Sequence, residues 1–334
     1  VRERGGSSRG GSSRGAPRSR VSRRDVRERP VAATPLVSSA AMIVDMHAHY
    51  EPRMLDLPHA LAKMDGAGVQ KVVLIPALNE PIPETPELLL ATVRRLMRHR
   101  ATRALAEQIH RATLTDNGDL KLRGRTIPIY PLPDNERIAE VLRDHGDRFL
   151  GWIFLNPRAD PDVMGTLERY AAIDGFVGVK LHPHWHDYRT DVLDPILRWC
   201  EARRMPVLIH LGFGARGDFH AMASRYPKLP IVSAHAGFPF FGDLWKRRRD
   251  CPNLYVDLSS PYVDEALVRD AVKAMGHERC LYGTDAPYGF PDAAHTYDYG
   301  EIRGWVERLP VDARAKDGIF GARFLELLDA RRPA

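Results

Sequence analysis

The chain has 334 residues, 44% hydrophobic and 28% charged, with a formal net charge of +6. That length and apolar content suffice for one large domain or two ordinary ones, and no apolar stretch is long enough to span a bilayer. The positive charge does not argue for nucleic acid, because residues 1–30 hold ten Arg against three acids and leave the remainder close to neutral.

In chain order, residues 1–41 come first. Rich in Arg, Ser and Gly, they cannot bury enough surface to offset their ordering entropy and are expected to be a disordered tail. Met42, directly before the first apolar run, reads as the natural start, which makes the segment an upstream misassignment. An organelle-type presequence, a twin-arginine signal around Ser22-Arg23-Arg24 and a solvated tail that binds RNA loosely are the competing readings. Gly and Pro spoil an amphipathic helix here, and Val31 to Ala41 is a poor apolar region.

From Ile43 onward, short β-branched runs alternate with amphipathic stretches. The runs predict strands at Ile43–His47, Lys71–Pro76, Phe149–Leu155, Phe176–His182, Pro206–Leu211, Ile231–His235, Asn253–Asp257 and Cys280–Thr284. Helices are predicted at Leu57–Ala67, Asn135–His145, Asp160–Ala172, Leu193–Arg203, Asp218–Arg225, Asp264–Met275, Glu301–Arg308 and Ala313–Leu328. Eight strands, each followed by helix, predict an α/β fold, a (β/α)8 TIM barrel over residues 42–330. One segment interrupts the repeat. Residues 79–134 predict a long helix at Pro86–Arg111, a turn at Asp116-Asn117-Gly118 and a short run at Thr126–Tyr130. So long an insertion between the second and third strands reads either as a lid over the active face or as an oligomer contact, hence a homodimer. Cys200, Cys251 and Cys280 are scattered and form no disulfide framework, which fits the cytosol best.

Active-site groups of such a barrel sit at the carboxyl ends of its strands. His47 and His49 end the first strand and share one face, since strand side chains repeat every two residues. Lys180 and His182 end the fourth, His210 the fifth and His235 the sixth, and Asp285 follows the eighth. A single strand-end histidine is usually a packing residue, whereas five with an aspartate at one mouth predict a metal site. Imidazoles with one carboxylate suit one divalent ion, zinc first, with manganese or iron also compatible. Asp285 can then touch the metal and take a proton from water, while His235 polarises a carbonyl or steadies an oxyanion.

Five segments carry a resemblance: Asp45-Met46-His47-Ala48-His49, Gly178-Val179-Lys180-Leu181-His182-Pro183, Pro206-Val207-Leu208-Ile209-His210, Ala234-His235-Ala236-Gly237 and Gly283-Thr284-Asp285-Ala286-Pro287. In this order, from about Ile43 to Leu328, they resemble the amidohydrolase superfamily, most closely the amidohydrolase-2 branch that includes aminocarboxymuconate semialdehyde decarboxylase. The resemblance implies a metal held by His47, His49, His210 and Asp285, with His235 acting beside it. Lys180 departs from the decarboxylases of that branch. In binuclear relatives a carboxylated lysine on the fourth strand bridges two ions, so a second metal on a modified Lys180 is one reading. The preferred one is an unmodified ammonium that binds a substrate carboxylate or pairs with Asp45.

Around this set, His182 reads as a ligand of a second ion, a substrate contact or a packed residue. Arg53, Arg158 and Arg216 follow the first, third and fifth strands and can anchor an anionic substrate, although loop arginines are often incidental. Trp185, Phe238, Phe240, Phe241, Tyr262, Tyr288 and Phe290 can line an apolar pocket or simply pack their loops. His184 and His186 are expected in a loop, exposed or substrate-adjacent, and His110 on a helix surface. The expected partner is a small molecule, with no membrane and no specific nucleic acid. The leading reaction is hydrolysis of an amide, ester or lactone by metal-activated water, and the alternative is nonoxidative decarboxylation of an unsaturated or aromatic acid. A barrel that has lost activity and serves as a scaffold is the third reading, disfavoured because every expected ligand is kept.

Overall fold

The computed structural model describes residues 42–82, 85–115, 118–122, 124–293 and 295–331. The Arg-rich tail and the Asp116-Asn117 part of the predicted turn lie outside the described residues. Ten strands form among the described residues: β1 (Val44–Tyr50), β2 (Lys71–Pro76), β3 (Leu120–Leu122), β4 (Arg125–Ile127) and β5 (Phe149–Leu155) in the first half. The second half holds β6 (Phe176–Leu181), β7 (Val207–Ile209), β8 (Ile231–Ser233), β9 (Leu254–Asp257) and β10 (Cys280–Leu281). Eight of them pair in parallel in the order β1-β2-β5-β6-β7-β8-β9-β10, while β3 and β4 form a separate antiparallel ribbon. The sheet curls until the chain after β10 meets β1. Met46 N donates to Tyr282 O (3.1 Å), and His47 O accepts from Thr284 N (3.1 Å) and Asp285 N (2.7 Å). The fold is the predicted TIM barrel.

Packing explains why these runs form a barrel. Their Val, Ile, Leu and Phe side chains are almost wholly buried on both faces, as parallel strands covered by helices require. Trp152 spans the interior from β5, its Nε1 donating to Met46 O at 2.8 Å. Among the described residues, six helices start at an aspartate whose side chain accepts a backbone N–H one turn on: Asp56, Asp134, Asp162, Asp218, Asp264 and Asp312. Such caps satisfy donors that a helix start leaves unpaired. No helix among the described residues is long and apolar enough to cross a membrane.

Two predicted helices are broken. The single helix expected over Pro86–Arg111 is two, Glu87–Met97 and Arg100–Ala112, with His99 extended between them (φ −122°, ψ 136°). Buried arginines tie each half to a different loop: Arg94 to Asp264 and Pro261 O, Arg103 to Asp243 and Phe240 O. The last helix is interrupted by a π turn at Gly318–Ala322, where a Cβ on Gly321 would come 2.3 Å from Met42 O at the entry to β1.

Close approach also fixes Gly178 on β6. A Cβ there would meet the Trp152 ring at 2.2 Å and Pro206 O at 2.5 Å, and neither a packed indole nor a backbone carbonyl yields easily. Gly178→Ala should therefore destabilise the fold by about 1–3 kcal/mol, the usual cost of overpacking. Urea unfolding monitored by tryptophan fluorescence measures this, and an unchanged midpoint would contradict the packing described.

Candidate active site

The first strand delivers His47 and His49 to the carboxyl end of the barrel, and each is oriented by a group behind it. His47 Nδ1 lies 2.8 Å from Asp257 Oδ2, and His49 Nδ1 lies 3.3 Å from Pro76 O. With those nitrogens acting as donors, both Nε2 lone pairs face Asp285 Oδ1, each at 3.4 Å. Asp285 and His235 sit at strand ends with backbone in the left-handed region, φ 63° and 55°. This conformation is uncommon for residues other than glycine and costs roughly 1–3 kcal/mol where strained. Here backbone bonds hold it: Asp285 N donates to His47 O, and His235 N donates to Asp257 Oδ1 (3.0 Å).

Asp257 is the hub of the site and was not among the expected residues. It ends β9, fully buried, and accepts from His47, from the amides of His235 and Ser259, and from Ser259 Oγ at 2.5 Å. Ser259 Oγ in turn lies 2.9 Å from His235 Nδ1. The signal was present, since Asp257 closes a predicted strand as His210 and His235 do. Burial opposes its ionisation, but His47 and the surrounding donors outweigh burial and hold its carboxyl well below the usual range. Asp285 behaves likewise: burial pushes it up, and His235, His49 and His47, when a ring carries a proton toward it, bring it down further.

Lys180 lies at the floor, wholly buried, with Nζ 3.3 Å from His47 Nε2. Burial lowers its pKa to about 8, against the opposing pull of Asp285 and Asp257. The expected pairing with Asp45 does not form. Asp45 is taken up by Thr284, whose hydroxyl (2.5 Å) and amide (3.0 Å) both donate to it, and by the His47 amide. Burial raises its pKa to about 7 despite these bonds.

His47, His235 and Asp285 offer ligand atoms that all lie within 4.8 Å of one another, a spacing suited to one ion. His49 joins this group through Asp285, and His210 joins through His235, with Nδ1 3.2 Å from His235 Nε2. His210 Nε2 is buried without a hydrogen-bond partner among the described residues. A buried nitrogen left so is costly, and a metal bond would satisfy it. Burial lowers the pKa of His235 to about 4 and that of His210 well below the ordinary value, so both rings are neutral, as ligation requires.

These groups open into a cavity of about 1000 Å³. Trp185, Phe213, Phe238, Tyr262 and Tyr288 line it, together with Leu90, Met97 and His110 from the helices of the insertion. The insertion therefore supplies part of the wall. Of the remaining expected contacts, His182, Arg53 and Tyr288 border the cavity, Tyr288 with its ring 5.3 Å from that of His49. Arg53 is already engaged by Glu51 (2.6 Å), Glu80 (2.5 Å) and Tyr130 (3.0 Å). Arg158 and Arg216 do not line the cavity, because both bind the two oxygens of Asp187. Phe240 and Phe241 also lie outside it. His184 and His186, expected in a loop as exposed or substrate-adjacent side chains, are buried in a short helix, Pro183–His186, and His184 borders the cavity. His110, expected on the surface, stacks on His184.

The model of the amidohydrolase family Amidohydro_2 matches residues 44–322. Among solved structures, 5-carboxyvanillate decarboxylase from Sphingomonas paucimobilis superposes with a TM-score of 0.55 at 16% identity, over 87% of this chain and 99% of that one. A dihydroxybenzoic acid decarboxylase from Polaromonas sp. JS666, with bound manganese and the inhibitor 2-nitroresorcinol, gives 0.54 at 18%, over 87% and 97%. 4-Oxalomesaconate hydratase from Rhodopseudomonas palustris gives 0.54 at 15%, over 86% and 96%. No match was found among curated protein sequences. At such identities the structural likeness speaks to fold alone, whereas the family match spans nearly the whole barrel. The chain belongs to the amidohydrolase family.

Proposed function

We propose that the protein is a metal-dependent decarboxylase that releases CO2, without oxidation, from an aromatic or unsaturated carboxylic acid. One observation carries this reading: the metal-competent groups gather at one end of the cavity and aromatic rings close around them. Tyr288 stands 5.3 Å from His49, Phe238 5.7 Å from His210 and Tyr262 6.2 Å from His235. A planar acid fits between such rings with its carboxylate at the charged end. The two decarboxylases of similar fold support this choice over hydrolysis.

In this reading His47, His49, His210 and Asp285 hold one divalent ion, manganese, zinc or iron. When bound, the ion supplies an anchoring charge and Lewis-acid polarisation for substrate oxygens. Lys180, as an ammonium, binds the departing carboxylate. Cleavage leaves the electron pair on carbon, and a proton must replace CO2 there. Asp285 Oδ2 and His235 Nε2, 4.0 Å apart, are the atoms that hold and pass that proton. Hydrolysis is the second reading, supported by Asp285, which stays ionised and is suited to accept a proton from attacking water.

The two part cleanly in labelled water. With the metal-loaded protein and a panel of aromatic and unsaturated acids, decarboxylation releases CO2 and leaves deuterium from D2O on the carbon that bore the carboxylate. Incorporation of 18O from water into the organic product, without CO2, would overturn the proposal in favour of hydrolysis.

A further inference from the structure

Four imidazoles form a row from the metal-competent group to the insertion. Ring centroids are separated by 4.7 Å from His235 to His210, 4.9 Å from His210 to His184 and 4.2 Å from His184 to His110. The last two contacts are stacked, at 23° and 28°. All four line the cavity. At the far end, His184 Nδ1 and His110 Nε2 are buried with no hydrogen-bond partner among the described residues. Neutral imidazole carries one donor and one acceptor, and a protein rarely buries either unpaired without reason. Two such nitrogens on adjoining stacked rings, in a cavity wall, call for a hydrogen-bonding group from outside the described residues.

The chemistry of that ligand follows from the surroundings. The His184 and His110 rings lie one on the other at 4.2 Å, so a proton on either would be opposed by charge on its neighbour, and the pair supplies no fixed positive charge. The nearest cation, Arg216, is spent on Asp187 Oδ1 at 2.9 Å and on His184 O at 3.4 Å. An anion would therefore lose hydration there without gaining a counter-charge. Phe213 borders both rings, 5.7 Å from His110 and 5.6 Å from His184, and favours a flat apolar body.

We propose that His110 and His184 form a binding subsite for an uncharged oxygen substituent, hydroxyl or carbonyl, on the edge of the substrate ring remote from its carboxylate. The proposal rests on the decarboxylase reading for the ring and its orientation. It makes His110, from the insertion, a specificity determinant that the barrel alone does not supply.

Direct binding measured by calorimetry tests it without turnover, using benzoate, 3-hydroxybenzoate and 4-hydroxybenzoate as probes. One satisfied hydrogen bond should make one hydroxylated probe bind about two- to tenfold tighter than benzoate. His110→Phe keeps a stacking ring and should abolish that preference, so that the hydroxylated probes bind no tighter than benzoate measured on the same variant. His110→Gln keeps a donor and an acceptor and should retain part of it. In the unmodified protein, the 15N resonances of His110 should shift with the preferred probe and not with benzoate, which guards against misfolding of either variant. Equal affinities for all probes, or a preference that survives in His110→Phe, would overturn the subsite. Absence of CO2 release with the preference intact would remove the decarboxylase reading and leave the subsite standing.

Discussion

Replacing His210 by alanine is expected to strip the metal from the purified protein, from one equivalent to none by elemental analysis. Replacing His235 by alanine should keep the metal and lower turnover by about 10²–10⁴-fold, the usual worth of a positioned acid–base group. The difference comes from what each ring already holds. His235 Nδ1 is held by Ser259 Oγ, which Asp257 holds in turn, and its Nε2 stands 4.0 Å from Asp285 Oδ2. His210 Nε2 has no partner among the described residues. A nitrogen buried at that cost is the better candidate for a metal bond. The opposite result, with metal lost from His235→Ala and kept in His210→Ala, would assign the ion to the compact group of His47, His235 and Asp285.

Asp257 should give the second large effect, seen in stability as well as affinity. In Asp257→Ala, His47 Nδ1 and the amides of His235 and Ser259 lose their acceptor inside the protein, and each buried orphan costs about 1–3 kcal/mol. Asp257→Asn keeps the shape and one acceptor oxygen, so folding should survive. It removes the charge that favours the Nδ1–H form of His47, and metal affinity should fall by about 10–100-fold, as for other partners of ligating histidines. Urea denaturation of the alanine variant and chelator competition with the asparagine variant separate the two effects. An asparagine variant that binds metal as tightly as the parent would show that Asp257 only packs the floor.

The strand ends were legible because a barrel makes position along a strand equivalent to position in the site. His47, His49, Lys180, His182, His210, His235 and Asp285 all border one cavity, as their strand-end places imply. The same reasoning covered Asp257 and went unused there, since a lone aspartate after Leu-Tyr-Val resembles any strand exit. Other features needed the third dimension. The break at His99 has no glycine or proline to announce it and follows from two arginines anchored to separate loops. Arg158 and Arg216 are drawn away from the cavity by one carboxylate, Asp187, which sequence separation hides. His184 and His110 lie more than seventy residues apart, and no periodicity relates them.

The way the cavity is assembled bears on how such a protein can change. Its chemical groups issue from the ends of several barrel strands, His47 and His49 from β1, Lys180 and His182 from β6 and its end, and the rest from later strand ends, so losing or exchanging any one disturbs the centre. The opposite wall comes in large part from one unbroken stretch, residues 79–134, joined to the barrel loops by Arg94 and Arg103. Selectivity is thus inherited as a cassette and reactivity as a scaffold. If the proposed function holds, a chimera that receives this stretch from another family member, with both arginine anchors preserved, would exchange the acids accepted while the reaction performed on them stays the same.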